Sequence, residues 1–159
     1  MDHSTEPFDE PSAAHVTQHD VSQWPLVVSI INGRTKAEDL RDVAARWRDW
    51  LSWNEPFAAL QIFHGGDGSL LAERDRWLSW WLDGQRRAIR CNVMGLASVI
   101  PGVYYEKMPQ MSTHKLFGVP AATFASVHTA LRWLEARAFR PHDLAFNRAA
   151  VEATLAGVA

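Results

Sequence analysis

Cysteine is almost missing from this chain. Cys91 stands alone among 159 residues, so no disulfide can form within it and a thiolate-based zinc site lacks ligands. Charge of one sign is missing too. The 16 Lys and Arg nearly balance 18 Asp and Glu, for a formal net charge of −2, without the basic footprint of nucleic-acid binding. No apolar run approaches the ~20 residues needed to cross a bilayer. The start, Met1-Asp-His-Ser-Thr-Glu-Pro-Phe-Asp-Glu10, has neither the basic opening nor the apolar stretch of a secretory signal. Repeats of solenoid length and low-complexity tracts are absent as well. These absences lead to the expectation of a cytoplasmic protein with no nucleic-acid partner, no membrane partner and no metal or other cofactor.

What is present is enough for one core. The length suits a single domain with tails, and 47% of the residues are apolar, so a real interior can be buried. Residues 1–22 are polar, acidic and without periodicity, and are expected to be a flexible tail holding His3, His15 and His19. Strand and helix patterns then alternate. Leu26-Val-Val-Ser-Ile-Ile31 is rich in β-branched residues and ends at the turn signal Asn32-Gly33. Thr35-Lys-Ala-Glu38 has the form of a capping box. The helix after it places Leu40, Val43, Ala44, Trp47 and Leu51 on one stripe, and Asn54-Glu55-Pro56 stops it.

Phe57-Ala-Ala-Leu-Gln-Ile-Phe63 is nearly continuous in apolar residues, as a strand covered on both faces should be. A Gly-rich turn, His64 to Ser69, leads into a helix from about Leu70 to Arg90, with a break expected near Asp83-Gly84. Asn92 to Ile100 is the third strand, and a shorter helix is expected over Val103 to Leu116. Ala121-Ala-Thr-Phe124 is the fourth strand. Ser126 then caps a helix whose inner face is Val127, Ala130, Leu131 and Leu134. A last helical pattern spans Asp143 to Leu155. The order demands crossover connections. The expected fold is therefore α/β: a single domain over 23–140, a four-stranded, mainly parallel sheet under amphipathic helices, and a helical appendage over 141–159.

Two features could carry function. The first is the turn His64-Gly65-Gly66-Asp67-Gly68-Ser69. Its glycines allow a sharp turn, and the free N–H groups opening the next helix attract anions. It lacks the lysine and spacing of a P-loop. Its plain reading is a tight connection with Asp67 or Ser69 as N-cap. His64, Asp67 and Ser69 lie too close in sequence to form a nucleophile–base–orienter line, and no G-x-S-x-G elbow occurs, so no catalytic residue is assigned. The second feature is the set of 8 tryptophans. Trp47, Trp50 and Trp53 recur on the first helix, and Trp77, Trp80 and Trp81 on the second. Trp50 and Trp80 fall off the apolar stripes and are expected to be partly exposed, where large rings favour interfaces. Arg86, Arg87 and Arg90 suit the negative end of their helix, with a phosphorylated partner as the sharper alternative.

The succession from residue 24 to 139, closing on Val119-Pro-Ala-Ala-Thr-Phe124 and Ala130-Leu-Arg-Trp-Leu134, resembles the STAS or SpoIIAA-like domains of anti-sigma-factor antagonists and related bacterial regulators. That family carries Asp-Ser and Gly in a turn at a helix N-terminus, on the surface that meets partners. Here Gly65 to Ser69 has those residue types in another order. The resemblance implies a non-enzymatic module that binds a partner protein or a second copy of itself at the end bearing this turn; the expected contacts are His64, Gly65, Gly66, Asp67 and Ser69, joined by the Trp50 and Trp80 faces that the helical spacing leaves exposed. Switching by phosphorylation of Ser69 is a third reading. The alternative is a small-molecule binder or small enzyme, with an aromatic-lined pocket for a small apolar ligand at the carboxyl ends of the strands. The His64 turn and Ser98–Pro101 both fall there.

Overall fold

A computed structural model describes residues 17–32, 41–64, 83–100, 102, 114–116 and 118–156. The strands are β1 (Thr17–Asp20), β2 (Leu26–Asn32), β3 (Phe57–His64), β4 (Val93–Val99), β5 (His114–Leu116) and β6 (Val119–Phe124). They form a six-stranded sheet in the order β1-β2-β3-β4-β6-β5. The inner four, β2, β3, β4 and β6, run parallel and in chain order. They occupy the segments the sequence marks out as strands. Two short antiparallel strands, β1 and β5, are added at the edges.

Both edges correct an expectation. Thr17–Asp20 is not tail: it pairs with Val28 to Ile31 of β2. Its sequence, Thr-Gln-His-Asp, has no hydrophobic pattern, so the neighbouring strand rather than propensity makes it extended. Residues 114–116 are not the end of a helix. They form a tight hairpin with β6, in which Leu116 faces Val119 and Gly118 takes a φ of +94° that suits glycine.

Helix α1 (Arg41–Ser52) links β2 to β3, and α2 (Arg86–Asn92), entered through a 3-10 turn at Asp83–Gln85, precedes β4. Crossovers that keep stepping the same way across a sheet keep their helices on the same side. Accordingly Val43, Ala44, Trp47, Trp50 and Leu51 of α1 share one core with Ile89 of α2 and with Val27, Ile31, Phe57, Ala59 and Phe63 of the sheet. The α1 helix stops where expected: the amides of Trp53 and Asn54 close on the carbonyls of Trp50 and Leu51, and Asn54 turns left-handed at φ 57°.

The opposite face carries the C-terminal segment. Helix α3 (Val127–Leu134) starts at Ser126, whose side chain accepts from the Thr129 amide. It runs on into a π turn (Glu135–Phe139) and a 3-10 turn (Arg140–His142). Helix α4 (Arg148–Leu155) folds back, with Val151 and Leu155 buried beside Ala130, Leu131, Leu134 and Phe139. These residues cover the alternate strand positions Leu26, Val28, Ile30, Leu60 and Ile62. The helical end of the chain therefore docks on the sheet.

A bulge sets the register of β4. Val93 faces Phe57 but Gly95 faces Ala58, so Met94 is an extra residue. At Gly95 an added Cβ would lie 3.2 Å from that of Ala138 in the π turn. Gly95→Val is expected to destabilise by about 1–3 kcal/mol through overpacking. Gly84→Ala, with open space around it, should stay within ~0.5 kcal/mol. Urea denaturation of both variants checks this.

The capping box at 35–38, the helix start at 70–82 and the turn at 65–69 lie outside the described residues.

Candidate functional site

Each central strand interrupts its apolar face once. On β2, Val27 and Ile31 enter the α1-side core and Ser29 sits between them; on β3, Ala59 and Phe63 flank Gln61; on β4, Leu96 and Ile100 flank Ser98. Side chains two residues apart share a face, so all three polar groups point to the α1 side. The register then aligns them. Ser29 faces Gln61, Gln61 faces Ser98, Ser98 faces Thr123 of β6, and His19 of β1 faces Ser29. One polar residue per strand thus crosses the sheet at a single level, toward the carboxyl ends of the parallel strands. At about 4.8 Å per strand, Ser29 to Thr123 spans about 14 Å.

The row is buried. Ser29 and Ser98 are each 2% exposed and Gln61 1%. At its β1 end the groups are paired: the His19 ring lies 2.9 Å through Nδ1 from the Ser29 hydroxyl and 3.2 Å through Nε2 from a carboxylate oxygen of Asp42 on α1. One neutral tautomer satisfies both, with Nε2–H donating to Asp42 and Nδ1 accepting from Ser29. Ser29, His19 and Asp42 follow the contact order of nucleophile, base and orienter. The Ser29 hydroxyl, however, is sealed between β2 and α1. The line therefore does structural work: it satisfies a buried hydroxyl and ties the edge strand to the first turn of α1. His19→Ala should leave that hydroxyl unpaired and cost about 1–3 kcal/mol. Amide hydrogen exchange over Thr17–Asp20 should speed up more than exchange in β3.

Gln61 has no such partner. Neither its amide nitrogen nor its carbonyl oxygen finds a hydrogen bond with a protein group. Burying such groups unpaired costs about 1–3 kcal/mol each. The buried Trp47 Nε1 is unpartnered too, but it belongs to the aromatic cluster and is a single donor.

That cluster revises the expectation for Trp50. It is 3% exposed. Its ring packs against Trp47 and Phe57 and meets the edge of His19, with centroids 5.6 Å apart at 73°. The His19 side chain of β1 reaches α1 here, at Trp50 and at Asp42. Trp53 is the ring left partly outside, at 37% exposure, edge-on to Trp24 at 4.8 Å. These rings gather around Phe57, which opens β3, and so at the amino edge of the sheet.

Of the other residues singled out in the sequence, His64 ends β3 and is exposed at the carboxyl edge. Gly65, Gly66, Asp67, Ser69 and Trp80 lie outside the described residues. Arg86, Arg87 and Arg90 are exposed on α2, and Cys91 is exposed beside them. His128 faces solvent, as its place beside Ser126 suggests, and pairs with Glu152 of α4 at 2.7 Å. A shallow depression of about 270 Å³ lies away from the row, at Glu135, Arg140 and Asp143 to Phe146. Among the described residues no group of three His, Cys, Asp or Glu side chains could hold a metal ion, and no helix is long and apolar enough to cross a membrane.

The row was missed because each member reads alone as a tolerated polar residue in a strand. The available signal was one such interruption in each apolar run, two residues before Ile31, Phe63 and Ile100. No family model, no curated protein and no solved structure matches this chain.

Proposed function

We propose that the chain is a non-enzymatic regulatory module of the STAS or SpoIIAA-like type, which binds a partner protein or a second copy of itself at the carboxyl edge of its sheet. The observation that carries this reading is the arrangement of the parallel strands. β2, β3, β4 and β6 run in one direction and in chain order, so Asn32, His64, Val99 and Phe124 end at a common edge. Open α/β sheets bind at that edge, and His64 is exposed on it. The α/β architecture with a C-terminal helix agrees with the resemblance drawn from residues 24–139. Trp50 contributes to the core and has no part in the contact surface.

Site-specific photo-crosslinking tests this. A benzophenone side chain is placed at position 64, or at exposed Glu55 on the amino edge, and the protein is irradiated in its cell of origin. A discrete adduct, to another protein or to a second copy, is expected from position 64 and not from position 55. Equal labelling from both positions, or none from 64, contradicts the proposal.

A further inference from the structure

We infer that the depression between α3 and α4 binds a free α-amino acid with a hydrocarbon side chain. This goes beyond the partner-binding reading and does not depend on it. The depression offers about 270 Å³, lined by Glu135, Arg140, Asp143, Leu144, Ala145 and Phe146. Pockets for drug-sized ligands run from about 300 Å³ upward, so the occupant is a small metabolite. The walls are held by the fold. Glu135 opens the π turn, a rare backbone form that recurs at functional sites. The amides of Asp143 and Leu144 donate to the carbonyls of Arg140 and Phe139, each at 3.0 Å. Phe146 is stacked on the buried Phe139, and the Asn147 side chain caps α4 by accepting from the Ala150 amide.

Charge sets the class of ligand. Glu135 already has a counter-ion, Arg148 of α4 at 3.6 Å. Arg140 and Asp143 have none. Among the described residues neither side chain makes an ion pair or a hydrogen bond, with the other or with any further group. One positive and one negative group thus line the same small space unpaired. An anion alone would meet Asp143, and a cation alone would meet Arg140. A molecule that carries both charges satisfies the two together. The guanidinium fork suits a carboxylate, and the Asp143 oxygens accept from an ammonium group. Leu144, Ala145 and Phe146 then face the hydrocarbon part. Leu144 is one of two large apolar side chains left exposed among the described residues, at 37%. Both charged groups are exposed, so each contact alone is weak, and binding needs both on one molecule.

The test follows the backbone amides of Leu144, Ala145 and Phe146 by ¹H–¹⁵N NMR during titration with L-leucine. N-acetyl-L-leucine, which lacks the ammonium charge, and L-leucinamide, which lacks the carboxylate, are the controls. Arg140→Gln and Asp143→Asn remove the two charges in turn, and asparagine tolerates the left-handed backbone at position 143. A saturable shift of the three amides with L-leucine is expected in the millimolar range. It should weaken at least several-fold in each variant, and each control should bind at least several-fold more weakly to the wild type. The two controls keep the test intact in the wild-type protein if a variant fails to fold. Amides that stay fixed with L-leucine would overturn the inference. So would an equal response to either control, or full binding by a folded variant.

Discussion

Trp50→Ala is expected to lower the free energy of unfolding by about 3–5 kcal/mol, the range for emptying a large aromatic site in a core. Helical spacing alone puts Trp50 off the apolar stripe of α1, and a surface ring there would cost within ~0.5 kcal/mol when truncated. The structure buries it between His19, Trp47 and Phe57. Removing the ring takes away the wall against which His19 rests, so the line from Ser29 to Asp42 should loosen with it. Urea denaturation measures the loss as a lower midpoint. An unchanged slope shows that the surface exposed on unfolding is the same. A near-neutral Trp50→Ala would return this residue to the surface and remove the reason for placing His19 against α1.

Phe139→Ala is expected to cost a similar amount, about 3–5 kcal/mol. Phe139 is 1% exposed and sits in the π turn beyond α3, stacked on Phe146 with centroids 4.6 Å apart at 21°. It joins the sheet, through the core around Leu60 and Ile62, to the segment that leads into α4. Its loss should therefore release α4 as well as leave a cavity, seen as faster amide exchange at Val151 and Leu155. Leu144→Ala is the control. Leu144 is 37% exposed in the same stretch and should change stability by no more than ~0.5 kcal/mol. If the two variants behaved alike, the C-terminal segment would be an appendage rather than one layer of the fold.

The parallel centre of this fold was legible because its determinants are local. Runs such as Leu26–Ile31 and Phe57–Phe63 are apolar on both faces but for Ser29 and Gln61, as strands covered on both sides tend to be. Ser126 and Asn54-Glu55-Pro56 mark helix ends through backbone chemistry. The edges were not legible. Thr17–Asp20 and 114–116 become strands only because a neighbour offers its hydrogen bonds, and nothing in Thr-Gln-His-Asp reports that neighbour. The burial of Trp50 depends on the same unseen strand. So does the role of His19, which would otherwise be one more polar residue in a tail. The candidate site was hidden for a related reason. Ser29, Gln61, Ser98 and Thr123 are far apart in sequence, and only the register, including the extra residue at Met94, brings them to one level. His64 ends β3 at the carboxyl edge, and the end of an apolar run before a glycine-rich stretch is a local signal of that.

Register is the point on which the account turns, since a slip of one residue would carry Gln61 to the opposite face of the sheet. The direct measurement is the set of trans-hydrogen-bond scalar couplings and interstrand NOEs across β2, β3, β4 and β6 in isotope-labelled protein. The account predicts parallel pairing with Ser29 beside Gln61, Gln61 beside Ser98, and Ser98 beside Thr123. Antiparallel contacts among these strands, or Gln61 pairing one residue out of step with Ser29 or Ser98, would contradict it.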